Sequence, residues 1–223
     1  MFDFRGRDVG EDSTEKYNQW LEECLDCEVM VLGGGVTALV AGIELQDRGQ
    51  NVLLLTEADQ PGGRLVWENG PVEILSPADE LLEELGFPID SNLPLWVDRL
   101  ELLGYLVNRF YELGGLIINS AVIENYFQSG QDGFEVEMLL NDRPLIASSP
   151  ELIVTTGRDR AAGEDSYCPG ILEKIVHNTR RTGDGFVAAG LNAHSPGRRG
   201  RFCPLVNGFI LSGRKAARLS LAD

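Results

Sequence analysis

The chain is poor in positive charge. Lys and Arg together number 19 against 35 Asp and Glu residues, which gives a formal net charge of −16 at pH 7. A surface of that sign repels nucleic acids and anionic lipids at long range, so we expect neither as a partner. An anionic ligand must then be held by local backbone donors and a few Arg side chains, because the overall field opposes it.

Long apolar runs are also missing. No stretch approaches the roughly 20 consecutive apolar residues that a membrane-spanning helix needs. The N-terminal sequence lacks the basic start and apolar core of a secretory signal peptide. We therefore expect a cytoplasmic protein without membrane contact, and the length of 223 residues predicts that residues 1–223 form a single domain.

Cysteine and histidine are scarce, with four and two residues respectively, which is too few cysteines for a disulfide scaffold. Cys24 and Cys27 form a C-x-x-C, but zinc usually requires a second such pair. A packing role is the favoured interpretation, and redox or metal chemistry is the alternative. His177, in a helical pattern from Ile171 to Arg180, and His194 each stand alone in sequence, which favours structural roles over metal binding.

Hydrophobic periodicity alternates between strand and helix, which is typical of a doubly wound α/β sheet. Val36–Arg48 has helical spacing, and the apolar runs Glu28–Leu32 and Asn51–Leu55 flank it, so the three segments predict a βαβ unit. Between Ala121 and Ala147 the apolar residues alternate, which predicts a small antiparallel lobe. Further helices are predicted at Ser13–Leu25, Ala78–Leu85, Arg99–Leu113 and Leu205–Leu221, and further strands at Leu116–Asn119, Glu151–Gly157 and Gly185–Gly190.

The turn after the first strand, Gly33–Ala38, matches the pattern G-x-G-x-x-[GA]. In that pattern the first glycine makes the turn, the second admits a pyrophosphate, and the small last residue lets the helix pack on the strand. Glu57 stands at the end of the second strand, where a carboxylate accepts hydrogen bonds from ribose hydroxyls and repels a 2′-phosphate. The pattern predicts NAD, FAD or another ADP-containing ligand and argues against NADP.

A second glycine pair and a cation, Pro61–Arg64, follow close behind, and backbone N–H groups and an Arg fork are good phosphate donors. Two later apolar strands end in small residues at the expected ligand edge, which allows a ligand to approach closely. The predicted cofactor-binding residues are Gly33, Gly35, Val36, Thr37, Ala38, Glu57, Ala58, Gly63, Arg64, Val122, Thr156, Gly157 and Gly190.

Several segments carry family motifs. Arg201–Pro204 is similar to an R-M-G-P motif, Gly208–Ala217 to a closing L-S-G-[KR]-K-A-A, and Ala189–Leu191 to an A-G-M; Ser76–Gly86 and Gly114–Asn119 match further stretches. Together they resemble the thiamine thiazole synthase family, which builds a thiazole from NAD, glycine and a sulfur source. The resemblance implies a Rossmann-type fold of the glutathione-reductase class, bound NAD or ADP-thiazole, and a homo-oligomer, often a ring.

The chain departs from that family at its iron and sulfur positions. The family motifs C-x-D-P or H-x-D-P and T-G-H-D supply a donor Cys, where there is one, and two iron ligands. Here Asn141 takes the Cys place, Arg143 the Asp place and Arg158 the His place. Arginine stays protonated and is no iron ligand, so we expect no iron and predict that both arginines bind an anionic ligand. Arg201 matches the family Arg that faces the glycine-derived carboxylate and is the predicted substrate contact.

The motifs and their departures leave three functions open. The first is a divergent thiazole synthase-like protein that binds NAD or ADP-thiazole without iron-dependent catalysis. The second is an FAD-dependent oxidoreductase, which the glycine turn and the terminal carboxylate of the second strand would also suit. The third is a non-catalytic nucleotide-binding subunit, because both family metal-ligand positions are lost. No catalytic residue is assigned from the sequence.

Overall fold

A computed structural model describes residues 11–67, 70–89, 95–129, 133–155, 180–183, 186–188 and 203–221. The helices in these ranges are α1 (Glu11–Cys24), α2 (Val36–Gln46), α3 (Arg64–Trp67), α4 (Ala78–Glu84), α5 (Arg99–Glu112) and α6 (Cys203–Ser220). The strands are β1 (Val29–Leu32), β2 (Val52–Leu55), β3 (Val72–Ile74), β4 (Leu95–Val97), β5 (Leu116–Ile118), β6 (Ala121–Gln128), β7 (Phe134–Leu140), β8 (Arg143–Ser149), β9 (Glu151–Val154), β10 (Arg180–Gly183) and β11 (Phe186–Ala188).

A sheet in the order β10-β11-β9-β1-β2-β5 forms the centre of the molecule, and all its pairings are parallel except that of β10 with β11. β1, β2 and β9 are almost wholly apolar, because a parallel strand covered on both faces needs apolar side chains on both. Val29 and Val31 of β1 face one core, whereas Met30 and Leu32 face the other. The α/β fold with a Rossmann-type parallel sheet is confirmed.

Helices cover one face of the central sheet, and an antiparallel sheet covers the other. On the first face lie α2, α4, α5 and α6, with Leu39 and Phe110 among the fully buried side chains. On the second face, α1 and the three-stranded sheet β6-β7-β8 contribute Leu21, Val136 and Met138 to a separate apolar core. This second sheet is the antiparallel lobe predicted from the alternating pattern, and a turn at Asn141 and Asp142, both with positive φ, joins two of its strands.

The contact between α2 and α6 depends on a glycine. A Cβ placed on Gly213 would lie 2.7 Å from the carbonyl oxygen of Thr37 and 2.7 Å from the Cβ of Val40, so the two helix backbones approach to a distance that only glycine permits. Ala216 and Ala217, one turn further along, are completely buried in the same core. The small residues of the closing segment therefore have a packing role in this chain.

Some short elements leave no signal in the sequence. α3, β3, β4 and β10 have three or four residues each, too few for a recognisable period. Arg180, predicted as the end of a helix from Ile171, instead begins β10, where it pairs with Ala188 of β11; residues 171–179 lie outside the described part. None of the described helices is long and apolar enough to cross a membrane.

Asn207 on α6 ties the small sheet β3-β4 to the main core. Its buried carboxamide accepts a hydrogen bond from the backbone nitrogen of Leu75 at 2.8 Å and donates one to the carbonyl of Glu73 at 2.9 Å. We expect Asn207→Leu to lower the free energy of unfolding by about 2 kcal/mol, because it removes both part-buried hydrogen bonds that Asn207 makes to the backbone of Glu73 and Leu75. Urea denaturation measures this, and Ser76→Ala, which removes an exposed hydrogen bond to Glu80, should change stability by less than about 0.5 kcal/mol.

Candidate dinucleotide site

The central sheet has a switch point at the carboxyl end of β1. From β1 the chain runs to β2 and then β5 on one side of the sheet, whereas β9 and β11 lie on the other side. Where the connections from two adjacent strands leave in opposite directions, a crevice opens at the carboxyl ends of those two strands. Open α/β sheets bind ligands in such a crevice. Gly33 follows β1 and Thr155 follows β9, so both lie at this crevice.

The glycine turn after β1 has the geometry that a pyrophosphate requires. Gly33 has φ +123°, and its nitrogen donates a 2.8 Å hydrogen bond to the carbonyl of Leu55. A Cβ on Gly34 would lie 3.1 Å from the side chain of Thr56, so this glycine packs against β2. A Cβ on Gly35 would meet nothing within 4 Å. Gly35 therefore borders open space, whereas its neighbour faces the protein.

Helix α2 begins directly at this open space, with Gly35 as its N-cap and no side-chain cap. The side chains of Val36, Thr37 and Ala38 are buried, so only their backbone groups are available to a ligand. The first N–H groups of a helix have no intrahelical acceptor and attract anions. The predicted residues of the first turn could thus bind phosphate through backbone donors rather than through side chains.

The second glycine loop lies against the first. The nitrogen of Gly62 donates to the carbonyl of Gly34 at 2.6 Å, and a Cβ on Gly63, which has φ +52°, would lie 3.2 Å from the Cα of Gly35. Arg64 begins α3 at the end of this loop. The structure therefore brings the two predicted phosphate-binding segments together, although helix α2 and strand β2 separate them in the sequence.

Arg99 fixes the segment that follows the second glycine loop. From the first turn of α5 its guanidinium donates to the carbonyls of Leu65, at 2.9 Å, and Gly70, at 2.5 Å. Asp98 caps the same helix by accepting hydrogen bonds from the nitrogens of Leu100 and Glu101. Sequence reasoning missed this positioning role, since nothing in the order of residues links α5 to the loop.

Glu57 and Ala58 lie beside Val122 at the carboxyl edge of β2. The nitrogen of Ser120 donates to the carbonyl of Ala58 at 2.8 Å, and the nitrogen of Ala121 donates to that of Thr56 at 3.0 Å. These bonds bring the start of β6 against the end of β2. Glu57 is exposed and Val122 is 48% exposed, so a carboxylate and an apolar side chain are both accessible where a ribose and an adenine would lie.

Thr155 binds the backbone of β1 on the other side of the crevice. Its nitrogen and its hydroxyl both donate to the carbonyl of Leu32, each at 2.9 Å, immediately before the glycine turn. The sequence carried a usable signal for it, because a Thr at the end of a buried apolar strand is polar where its predecessors are not. Of the remaining predictions, Thr156, Gly157, Arg158, Gly190 and Arg201 lie outside the described residues.

Arg143 lies at the start of β8 and forms an ion pair with Glu22 of α1, 3.4 Å between Nη2 and Oε1. A protonated guanidinium held by a carboxylate does not fit an iron site. Among the described residues no group of three or more His, Cys, Asp or Glu side chains could hold a metal ion. The described residues thus fit a dinucleotide at the glycine turn and do not fit iron at the β7–β8 hairpin.

Cys27 is buried beneath the antiparallel sheet, with its Sγ 3.8 Å from the carbonyl of Ser148. Burial raises its pKa to about 12, and burial also raises the pKa of Cys24. A protonated thiol is a poor nucleophile.

In a variant that keeps Cys27 as its only cysteine, we expect an aromatic disulfide reagent at pH 8 to react with the folded protein at least about a hundredfold more slowly than with the protein unfolded in urea. Equal rates in the two states would contradict the buried, protonated thiol.

The chain is similar to known proteins by family model, by sequence and by structure. Residues 28–88 match the family model described as FAD binding domain. The thiamine thiazole synthase of Thermococcus kodakarensis is 24% identical to this chain, over 91% of the chain and 92% of the relative. That of Methanothermobacter thermautotrophicus is 26% identical over 92% and 93%. The crystal structure of Thermovibrio ammonificans THI4 superposes with a TM-score of 0.75 at 21% identity and covers 94% of both chains.

Proposed function

We propose that this chain, a divergent relative of the thiamine thiazole synthases, binds NAD or an NAD-derived ADP-thiazole in the crevice at the carboxyl end of β1. The observation that carries the proposal is the open space beside Gly35, at a helix N-terminus and against the loop of Gly62 and Gly63. Such a cradle fits a pyrophosphate. Glu57 would accept hydrogen bonds from the adenosine ribose.

The proposal includes that the chain does not perform iron-dependent thiazole formation. Arg143 and Arg158 stand where the family carries iron ligands, and two guanidinium groups would repel a ferrous ion rather than bind it. Arg158 and Arg201 would instead contact the anionic end of the ligand, since a guanidinium suits a carboxylate or a phosphate in a bidentate contact. No catalytic step follows from the described residues.

The first experiment is to purify the full chain without added cofactor, denature it, and identify the released small molecule by mass spectrometry and absorbance. We expect NAD or an ADP-thiazole and no stoichiometric iron. A second assay supplies NAD, glycine, sulfide and ferrous iron, and no ADP-thiazole should accumulate where a thiamine thiazole synthase forms it under the same conditions. Product formation in that assay would refute the loss of iron-dependent catalysis.

A second candidate function is flavin chemistry. The match of residues 28–88 to the FAD binding domain model favours it, because FAD shares the ADP half that the glycine turn and Glu57 would hold. Under this alternative the purified protein is yellow and releases FAD on denaturation. The same released-ligand measurement therefore distinguishes the two candidates.

We also propose that the protein is a homo-oligomer, as the resemblance to the thiazole synthases implies. Mass photometry at nanomolar concentration tests this, and a purely monomeric species would contradict it. Nucleic acids remain excluded from the proposal because the net charge of −16 opposes a polyanion.

A further inference from the structure

The outer face of the antiparallel sheet β6-β7-β8, which points away from α1 and the central sheet, carries large exposed apolar side chains. This composition is unusual for a face in contact with water alone. The inner face of the sheet carries Ile123, Met138 and Leu145 opposite one another, and all three are buried against α1 and the central sheet. Residues that point the other way should be polar if they face only water. Three of them are large apolar side chains with substantial exposure: Val122 at 48%, Phe127 at 37% and Ile146 at 57%.

The strand register shows that these side chains share one face. Val122 is opposite Leu139, which is opposite Pro144, and these three residues form one row across the sheet. In an antiparallel sheet, directly opposite residues point to the same side. The nine outward positions in three rows are Val122, Leu139 and Pro144; Asn125, Glu137 and Ile146; Phe127, Glu135 and Ser148.

The outer face is also acidic. Glu135 and Glu137 occupy its central strand, between the apolar side chains of β6 and β8. Residues 11–28, 121–129 and 133–151, which form α1, the antiparallel sheet and their flanks, contain 12 acidic and 2 basic residues, a net charge of −10 out of −16 for the chain. This layer therefore carries most of the net charge as well as an exposed apolar surface.

Charge decides which occupant the face suits. A second copy related by a two-fold axis would bring Glu135 and Glu137 of both chains together, and like charges in a dry interface oppose association. A partner with Lys or Arg beside apolar side chains would pair with the carboxylates and cover the apolar rows. The opposite face of the same sheet already packs against a helix through Leu21 of α1 and through Leu25, which follows that helix, so a helix fits this sheet sterically.

We propose that the outer face of the sheet β6-β7-β8 binds a partner protein through a basic amphipathic helix. The partner helix lies across the three strands, with its apolar stripe on Phe127 and Ile146 and its cations at Glu135 and Glu137. Val122 belongs to the proposed dinucleotide site, so the partner helix is placed on the other two rows of this face.

The test uses the full chain and a fluorescent peptide of about 18 residues, made of Lys and Leu with Leu on one helical face. Fluorescence anisotropy is measured at low and high salt, together with a scrambled peptide of the same composition. We expect the amphipathic peptide to bind at least about tenfold more tightly than the scrambled one. We expect the double variant Phe127→Ser/Ile146→Ser to lose about tenfold in affinity, and Glu137→Gln to weaken binding and reduce its salt dependence.

Leu100→Ser is the matched control, because Leu100 is 63% exposed on α5, on the other side of the central sheet. It should leave peptide affinity unchanged. Equal binding of the scrambled peptide, or equal losses in the control and the double variant, would overturn the proposal. So would a dimer of the wild type that the double variant converts to monomer, since the face would then belong to a second copy. Unchanged dinucleotide binding and circular dichroism show that each variant is folded.

Discussion

Gly35→Val should lose dinucleotide affinity by about a hundredfold, or about 2.7 kcal/mol, with little change in the free energy of unfolding. Gly35 has φ −80° and ψ 179°, an extended conformation that any residue adopts, so the substitution introduces no backbone strain. Its new side chain would project into the open space beside the N-terminus of α2, where the proposed pyrophosphate lies. Isothermal titration with NAD and with ADP measures the loss.

The neighbouring glycines provide the contrast. Gly34→Val should cost stability, because even its Cβ would lie 3.1 Å from the side chain of Thr56. Gly104→Ala, in the interior of α5 with nothing within 4 Å of the new Cβ, should leave affinity intact and stabilise the helix by about 0.5–1 kcal/mol. Wild-type-like affinity of folded Gly35→Val would remove the glycine turn from the binding site. Absence of any dinucleotide binding by the wild type would instead refute the proposed function.

Arg214→Met should lower the free energy of unfolding by about 3 kcal/mol, because it leaves the carboxylate of Glu44 buried without its main partner. Nη2 of Arg214 lies 2.7 Å from Oε1 of Glu44, and the Glu44 side chain is only 8% exposed. The same guanidinium reaches Glu84 of α4 at 2.5 Å, so it links α2, α4 and α6. Chemical denaturation measures the effect.

Arg48→Met is the control, since Arg48 is largely exposed and contacts Glu44 only at 3.5 Å. We expect a change below about 0.5 kcal/mol there. The double variant Glu44→Leu/Arg214→Met should recover much of the lost stability, because no unpaired charge is buried. A double variant as unstable as Arg214→Met alone would show that the guanidinium contributes by packing and not by pairing.

The same network predicts a dependence on pH. The hydrogen bond from Arg214, with its charge, lowers the pKa of Glu84 below the ordinary value of 4.5. A carboxyl whose folded pKa is lowered stabilises the folded state above its unfolded pKa, and the contribution is lost as the pH falls through the folded pKa. Acid unfolding below about pH 4.5 should therefore be less steep in Arg214→Met than in the wild type.

Local sequence patterns determined the secondary structure of the long elements and the class of ligand. The sequence predicts the β1–α2–β2 unit because buried parallel strands are continuous apolar runs and helices have a 3.6-residue hydrophobic period. The sequence also predicts the roles of the glycine turn and Glu57, because these residues follow those strands at fixed spacing. The alternating pattern from Ala121 likewise predicts β6, β7 and β8, since one face of that sheet covers the core.

Tertiary structure alone decided which distant residues meet. The loop of Gly62 and Gly63 lies against Gly34 and Gly35, and Arg99 binds the segment that follows the loop. These contacts join segments that share no hydrophobic period, so the sequence pattern does not predict them. The same holds for the ion pair of Arg143 with Glu22 of α1. The resemblance to the thiazole synthases predicts an anionic ligand for Arg143 and does not indicate this second contact. Periodicity reports which face of an element is buried, whereas a hydrogen bond or ion pair between elements is fixed only when their packing brings donor and acceptor within about 3 Å.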